Sequence, residues 1–168
     1  MRTTFENDTE HLNAPFHGLE SQFKQAKMAS NGTHGALRKS IIVTGGASGI
    51  GLALTRHFAS EGHQIAVLDI NAQTGAKVVT DVASEFPAAA LSFKTCDVSS
   101  WEHQASVFEE VYKEHGNRLD VVMANAGISE QGSSSLASID EATPSKPQLR
   151  VLEVNLLGTI YSEFAWPY

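Results

Sequence analysis

From Ser40 onward, short apolar runs alternate with segments whose apolar positions recur every three or four residues, a pattern of buried strands separated by amphipathic helices. Ile41-Ile42-Val43 is the first run. A glycine-rich turn leads from it into a helical segment with Ile50, Leu54 and Phe58 at i, i+4 and i+8, which Gly62 ends. Gln64 to Leu68 supplies a second strand closing at Asp69, and Ala72, Ala76, Val79, Ala83 and Phe86 mark one face of a second helix that Pro87 stops. Leu91, Phe93 and Thr95 alternate as a third strand. Ser99 and Glu102 then have capping-box spacing ahead of a third helix carrying Trp101, Ala105, Phe108 and Tyr112. Leu119 to Ala124 reads as a fourth strand. Leu149, Leu152, Leu156 and Ile160 recur on a fourth helix, with Glu153 pointing elsewhere.

Strands that alternate with helices predict an α/β domain with a parallel sheet. Residues 39–168 form that domain in this reading, and residues 1–38, rich in Asn, Thr, His, Gln and charge without a sustained period, form a polar, disordered extension. Ser129 to Gln148, with its serines, Gly132, Pro144 and Pro147, reads as a long loop at a strand end, where ligands are often met.

Composition narrows the chemistry. The 168 residues carry 12 Lys and Arg against 19 Asp and Glu, a formal charge of −7, which opposes the basic stripe that nucleic acid requires. One cysteine, Cys96, excludes an intrachain disulfide, and the seven histidines form no cluster with metal-ligand spacing. No stretch is long and apolar enough for a membrane span, so the expectation is a protein of the cytoplasm with no membrane partner.

The strongest local signal is Thr44-Gly45-Gly46-Ala47-Ser48-Gly49-Ile50-Gly51, set between a predicted strand and a predicted helix. Glycines there permit a tight turn and let backbone N–H groups and a helix N-terminus approach a pyrophosphate. No P-loop lysine follows, which disfavours a nucleoside triphosphate. Asp69 lies 24 residues after Gly45 at a strand end, where a carboxylate can accept hydrogen bonds from both hydroxyls of an adenosine ribose. That carboxylate favours NAD. A 2′-phosphate would be repelled, and neighbouring Ile70 and Asn71 offer no cation to neutralise it. The alternative reading of Asp69 is a simple strand-end cap.

These residues and their spacing resemble the short-chain dehydrogenase/reductase family, in its compact subtype with a T-G-x-x-x-G-x-G turn. Four motifs occur in the family's order: Thr44 to Gly51, Asp97 in Cys96-Asp97-Val98, Asn125-Ala126-Gly127, and Asn155 in Val154-Asn155-Leu156-Leu157-Gly158. The resemblance implies the N-terminal part of a Rossmann-like doubly wound parallel sheet, with about four strands in the order 3-2-1-4 and four helices. It implies an NAD-dependent oxidoreductase acting on a secondary alcohol or carbonyl, NADP being the less expected cofactor. Thr44, Gly45, Ser48, Gly49, Ile50, Gly51 and Asp69 would bind the cofactor. Asp97 would meet the adenine amino group with Val98 beside the ring, and Asn125, Ala126 and Gly127 would steady the strand next to it. Asn155 would be the family's helix asparagine, kinking the helix and holding a water of the proton relay through its carbonyl. As a bare residue, Asn155 reads equally as a hydrogen-bonded core amide.

The family's serine and Y-x-x-x-K pair find no counterpart. Tyr112 is followed four places on by Gly116, and Tyr161 by Ala165. The expectation is therefore a chain truncated before those elements and inactive alone, the alternatives being a non-catalytic dinucleotide-binding or interaction protein and an inactive truncated product. Its fourth strand would be an open edge and its last helix a bare apolar stripe, which predicts self-association through both.

Overall fold

The structure, a computed structural model, describes residues 38–129 and 149–166. The expected extension before Arg38 and residues 130–148 of the long loop lie outside the described residues. Four strands, β1 (Ser40–Thr44), β2 (Gln64–Asp69), β3 (Ala90–Thr95) and β4 (Val121–Met123), form one parallel sheet in the order β3-β2-β1-β4. The register places Ile42 of β1 beside Ala66 of β2 and Val122 of β4. This is the Rossmann-like order expected, and β4 is an edge of the sheet among the described residues. The strand is shorter than the apolar run Leu119–Ala124. Leu119 is buried just before β4, and Ala124 belongs to the turn that follows.

Three helices cross between the strands: α1 (Gly49–Ser60), α2 (Ala72–Glu85) and α3 (Trp101–Glu114). Because β1 and β2 are covered on both faces, their sequences are continuously apolar rather than alternating. Ile41, Val43, Ile65 and Val67 pack with Ala59 of α1 and with Val78 and Val82 of α2. Ile42, Ala66 and Leu68 face the other way, onto Phe108 and Val111 of α3 and Val154 near the chain's last helix. Strand side chains alternate by face, so one short run serves two cores.

Several helix faces differ from the sequence reading. Ile50 is 75% exposed; α1 buries Gly51, Thr55 and Ala59 instead, small residues that bring the helix close to the sheet, while Leu54 and Phe58 are half-buried. On α2 the stripe is rotated: Gly75, Val78 and Val82 are buried, whereas Ala72 and Ala76 are exposed. Phe93 decides this, since a Cβ built on Gly75 would lie 1.9 Å from the Phe93 ring. The α3 cap is Ser100, whose hydroxyl accepts from His103 N at 3.3 Å, and not Ser99, which turns back onto Asp97. Trp101 is 40% exposed, and the core positions of α3 are Gln104, Val107, Phe108 and Val111.

The fourth predicted helix is interrupted. It comprises α4 (Arg150–Leu152), a π-helical stretch over Glu153–Leu157 and α5 (Gly158–Phe164), with Leu149 just outside as the cap. Its predicted stripe faces solvent: Leu149, Leu152, Leu156 and Ile160 are all exposed, and Val154, Gly158 and Ser162 are the buried positions. Small residues at 158 and 162 let α5 approach α3. Gln104, fully buried, accepts there from Ser162 Oγ at 2.5 Å and donates to Val98 O at 3.2 Å. Among the described residues no helix is long and apolar enough to cross a membrane, and no group of three or more His, Cys, Asp or Glu side chains is placed to hold a metal.

Candidate active site

The carboxyl ends of the strands open into a cavity of about 460 Å³. Its floor is the turn after β1. Gly45 (φ 63°) and Gly49 (φ 50°) both adopt the left-handed backbone region that glycine populates without cost. Gly51 answers a different demand, because a Cβ there would lie 2.1 Å from Gly45 O. The turn is thus folded against the first residues of α1. Ser48 is the helix cap by position, yet its side chain makes no capping bond, and it stands exposed at the cavity wall with Gly49 and Ile50. The first N–H groups of α1 have no intrahelical acceptor, so they and the helix dipole favour an anion at this point.

Thr44 ties the floor to the opposite wall. Its Oγ1 accepts from Asn125 N at 3.0 Å and from Ala126 N at 3.1 Å, and Asn125 Nδ2 donates to Thr44 O at 3.1 Å. A buried threonine and an asparagine therefore lock the end of β1 to the turn after β4, and Thr44 acts from behind the cavity rather than lining it. Asp69 anchors the other side: its Oδ2 accepts from Ala47 N at 3.2 Å and its Oδ1 from Asn71 N at 3.0 Å. Each oxygen takes one backbone donor, leaving lone pairs for a diol. A strand-end cap and a ligand acceptor are compatible roles in this geometry.

Asp97 and Val98 form the third side. Burial pushes the Asp97 carboxyl up, but hydrogen bonds from Ser99 and from Arg150 outweigh it and hold the group below the usual carboxylate range. Cys96 beneath them is 2% exposed, and burial, reinforced by Asp97, pushes its thiol up to about 12, so it is a protonated apolar filler. Of the predicted residues, ten line one cavity: Gly45, Ser48, Gly49 and Ile50 on the floor, Asp69, Asp97 and Val98 on one side, and Asn125, Ala126 and Gly127 on the other. Thr44 and Gly51 support it from the interior. Asn155 is exposed, not a core amide, and is held at the rim by two hydrogen bonds to the backbone of Ile128. Arg150, Ile70, Ile128 and Val154 also line the cavity. Sequence reasoning passed over Arg150 because a single arginine at a helix start carries no spacing signal.

Residues 39–163 match the sequence pattern of the short chain dehydrogenases. The chain belongs to the short-chain dehydrogenase family. An NADP-dependent dehydrogenase of Cochliobolus lunatus is 40% identical over 131 residues, covering 75% of this chain and 44% of the relative. Among solved structures, this short-chain dehydrogenase is similar to an NADPH-dependent 3-quinuclidinone reductase from Rhodotorula rubra (30% identity, TM-score 0.64, 76% of this chain and 45% of that one). It is equally similar to an NAD+-bound xylitol dehydrogenase (31% identity, TM-score 0.64, 76% and 46%). The short-chain dehydrogenase chain described here spans less than half the length of these relatives.

Family membership makes a nicotinamide dinucleotide the group to test against the site. The residues fit it: a glycine floor with an open helix N-terminus, a carboxylate at the end of β2 and a second carboxylate at the end of β3. A Cβ at Gly49 would meet no protein atom within 4 Å, so the space beside that turn is free for a ligand.

Proposed function

We propose that this chain is the adenosine-diphosphate-binding part of an NAD-dependent oxidoreductase acting on a secondary alcohol or carbonyl. The observation that carries the cofactor choice is Asp69. It lines the cavity at the end of β2 with one backbone donor on each oxygen, and the one cation among the described cavity residues, Arg150, is engaged by Asp97 and Glu153 instead. A 2′-phosphate beside Asp69 would meet a negative charge with no free counter-charge among the described cavity residues. The related proteins' names point both ways, to NADP and to NAD+.

In this reading Gly45 and Ser48–Gly51 receive the pyrophosphate through backbone N–H groups. Asp69 accepts from the ribose hydroxyls, Asp97 accepts from the adenine amine, and Val98 packs on the ring. Thr44, Asn125, Ala126 and Gly127 keep the two walls in register. A bound nicotinamide dinucleotide supplies or accepts the hydride. Asn155 stands at the rim on the π-helical stretch, where its carbonyl accepts from Thr159 Oγ1 at 2.9 Å, and its proposed part is to hold a relay water.

Among the described residues no tyrosine lines the cavity. Tyr161 lies edge-on to Trp101, with ring centroids 5.8 Å apart, and is not among the cavity-lining residues. Without a general acid/base the hydride step slows by about 10²–10⁴. That observation favours a second reading for the 168 residues by themselves, a non-catalytic dinucleotide-binding or interaction protein.

Calorimetry decides the cofactor question. The chain should bind NAD more tightly than NADP, Asp69→Ala should shrink that ratio at least tenfold, and ADP-ribose should bind about as well as NAD. Tighter binding of NADP by the wild-type chain overturns the choice. NADH absorbance followed with a panel of secondary alcohols and carbonyls separates the two readings, saturable turnover by the 168 residues eliminating the second.

A further inference from the structure

Asp97 presents two unequal oxygens. Its Oδ1 accepts from Ser99 N at 3.0 Å and Ser99 Oγ at 2.6 Å, with Arg150 Nη2 at 3.4 Å; its Oδ2 has Arg150 Nη2 at 3.2 Å. Arg150 Nη1 in turn donates to Ser99 Oγ at 2.8 Å. The guanidinium therefore reaches Asp97 twice, once directly and once through a serine that itself donates to the same carboxylate.

This arrangement consumes the acceptor capacity of Oδ1 and leaves most of it on Oδ2, while fixing the carboxylate plane. A planar fork does this better than a point charge, because its donors are held in a fixed relation. Arg150 lies on α4, 53 residues from Asp97 in the chain, and Glu153 Oε2 at 3.6 Å shares its charge. So neutralised, it is poorly suited to a phosphate and well suited to aiming a carboxylate.

We propose that Arg150 is a positioning residue for purine recognition: with Ser99 it aims Asp97 so that the cavity selects a 6-amino purine over a 6-oxo purine. The inference rests on the adenine role given to Asp97 under the proposed function. An adenine amine donates a hydrogen bond to a carboxylate, whereas the 6-oxo group of hypoxanthine presents a lone pair and is repelled. A carboxylate free to rotate would retreat from the 6-oxo group and discriminate less.

The test titrates the 168-residue chain with NAD and with nicotinamide hypoxanthine dinucleotide by calorimetry, for wild type, Arg150→Met and Arg150→Lys. Wild type should favour NAD by about tenfold or more, the scale of one charge-assisted hydrogen bond. In Arg150→Met the ratio should fall to about twofold, chiefly through weaker NAD binding, and in Arg150→Lys it should be intermediate. An arginine that merely holds α4 in place would weaken both ligands together, so an unchanged ratio in the variants overturns the inference and spares the function. Equal binding of both dinucleotides by wild type overturns the role of Asp97 and the inference with it; no saturable binding of either removes the proposed function itself. Should Arg150→Met not fold, the lysine variant decides, a wild-type ratio counting against the inference.

Discussion

Asn155 holds the backbone of Ile128 at both of its polar groups: Oδ1 accepts from Ile128 N at 2.8 Å and Nδ2 donates to Ile128 O at 2.9 Å. An amide is the side chain that can do both at once. The clamp joins the π-helical stretch to the turn after β4, two segments 27 residues apart that meet at the cavity rim.

Asn155→Ala should therefore cost about 1 kcal/mol, two solvent-accessible hydrogen bonds each contributing modestly. Asn155→Asp, which keeps the acceptor and loses the donor, should fall between alanine and wild type. Urea unfolding curves read this directly; an alanine variant as stable as wild type would show that the clamp contributes nothing.

The two glycines of the turn should respond differently to alanine. At Gly51 the new Cβ would lie 2.1 Å from Gly45 O, so the turn must open, and we expect at least a tenfold loss of ADP-ribose affinity together with lower stability. At Gly49 no atom lies within 4 Å, so the stability cost is that of a left-handed alanine, about 1–2 kcal/mol. Its methyl group nevertheless enters the proposed pyrophosphate space. Full ADP-ribose affinity in Gly51→Ala would contradict the role of the turn as floor.

Gly75 and Phe93 form a matched pair across α2 and β3. Gly75→Ala gains helix propensity of about 1 kcal/mol but drives a methyl group into the Phe93 ring, and overpacking of about 1–3 kcal/mol should prevail. Adding Phe93→Leu should recover part of the loss. A thermal midpoint raised by Gly75→Ala alone would mean the ring moves aside without penalty.

His115 makes stability depend on pH. It is 9% exposed, with Ser40 Oγ 2.7 Å from its Nδ1, and burial holds its pKa below 6.5; Glu114 pulls it up while Arg38 and Lys94 push it down. The unfolded chain therefore binds a proton near pH 6.5 that the folded chain refuses. Stability should fall as pH drops from 7 through 6.5 and below, by no more than about 1.4 kcal/mol per pH unit, until the folded pKa is reached. His115→Gln should flatten the slope between pH 7 and 5 in urea titrations. An identical slope in the variant would assign the effect elsewhere.

Much of the nucleotide floor was legible in the chain because it depends on short-range backbone demands. The positive φ of Gly45 and Gly49 and the approach of Gly51 to Gly45 O are demands contained within eight residues, although Gly45 also backs onto Ala126 across the fold, and Asp69 ends an apolar run that reads as a buried strand. The faces of the helices were not legible to the same degree. Counting apolar residues selected Ile50 and Ala76, yet close helix–sheet contact buries small positions such as Gly51, Thr55 and Gly75 and leaves the larger ones outside. Ser99 was read as a cap because its spacing from Glu102 suited one, while the structure uses it to hold Asp97.

Sequence alone thus determined the alternation of strands and helices, an α/β class with a parallel sheet and the residues of the turn, since periodicity and glycine stereochemistry act locally; the doubly wound order came from the family resemblance. Tertiary structure decided which small residues lie between helix and sheet, where the last helix gives way to a π-helical stretch, and that Arg150 meets Asp97 from 53 residues away. Those outcomes depend on packing between distant segments, whose distances no pattern of spacing along the chain encodes.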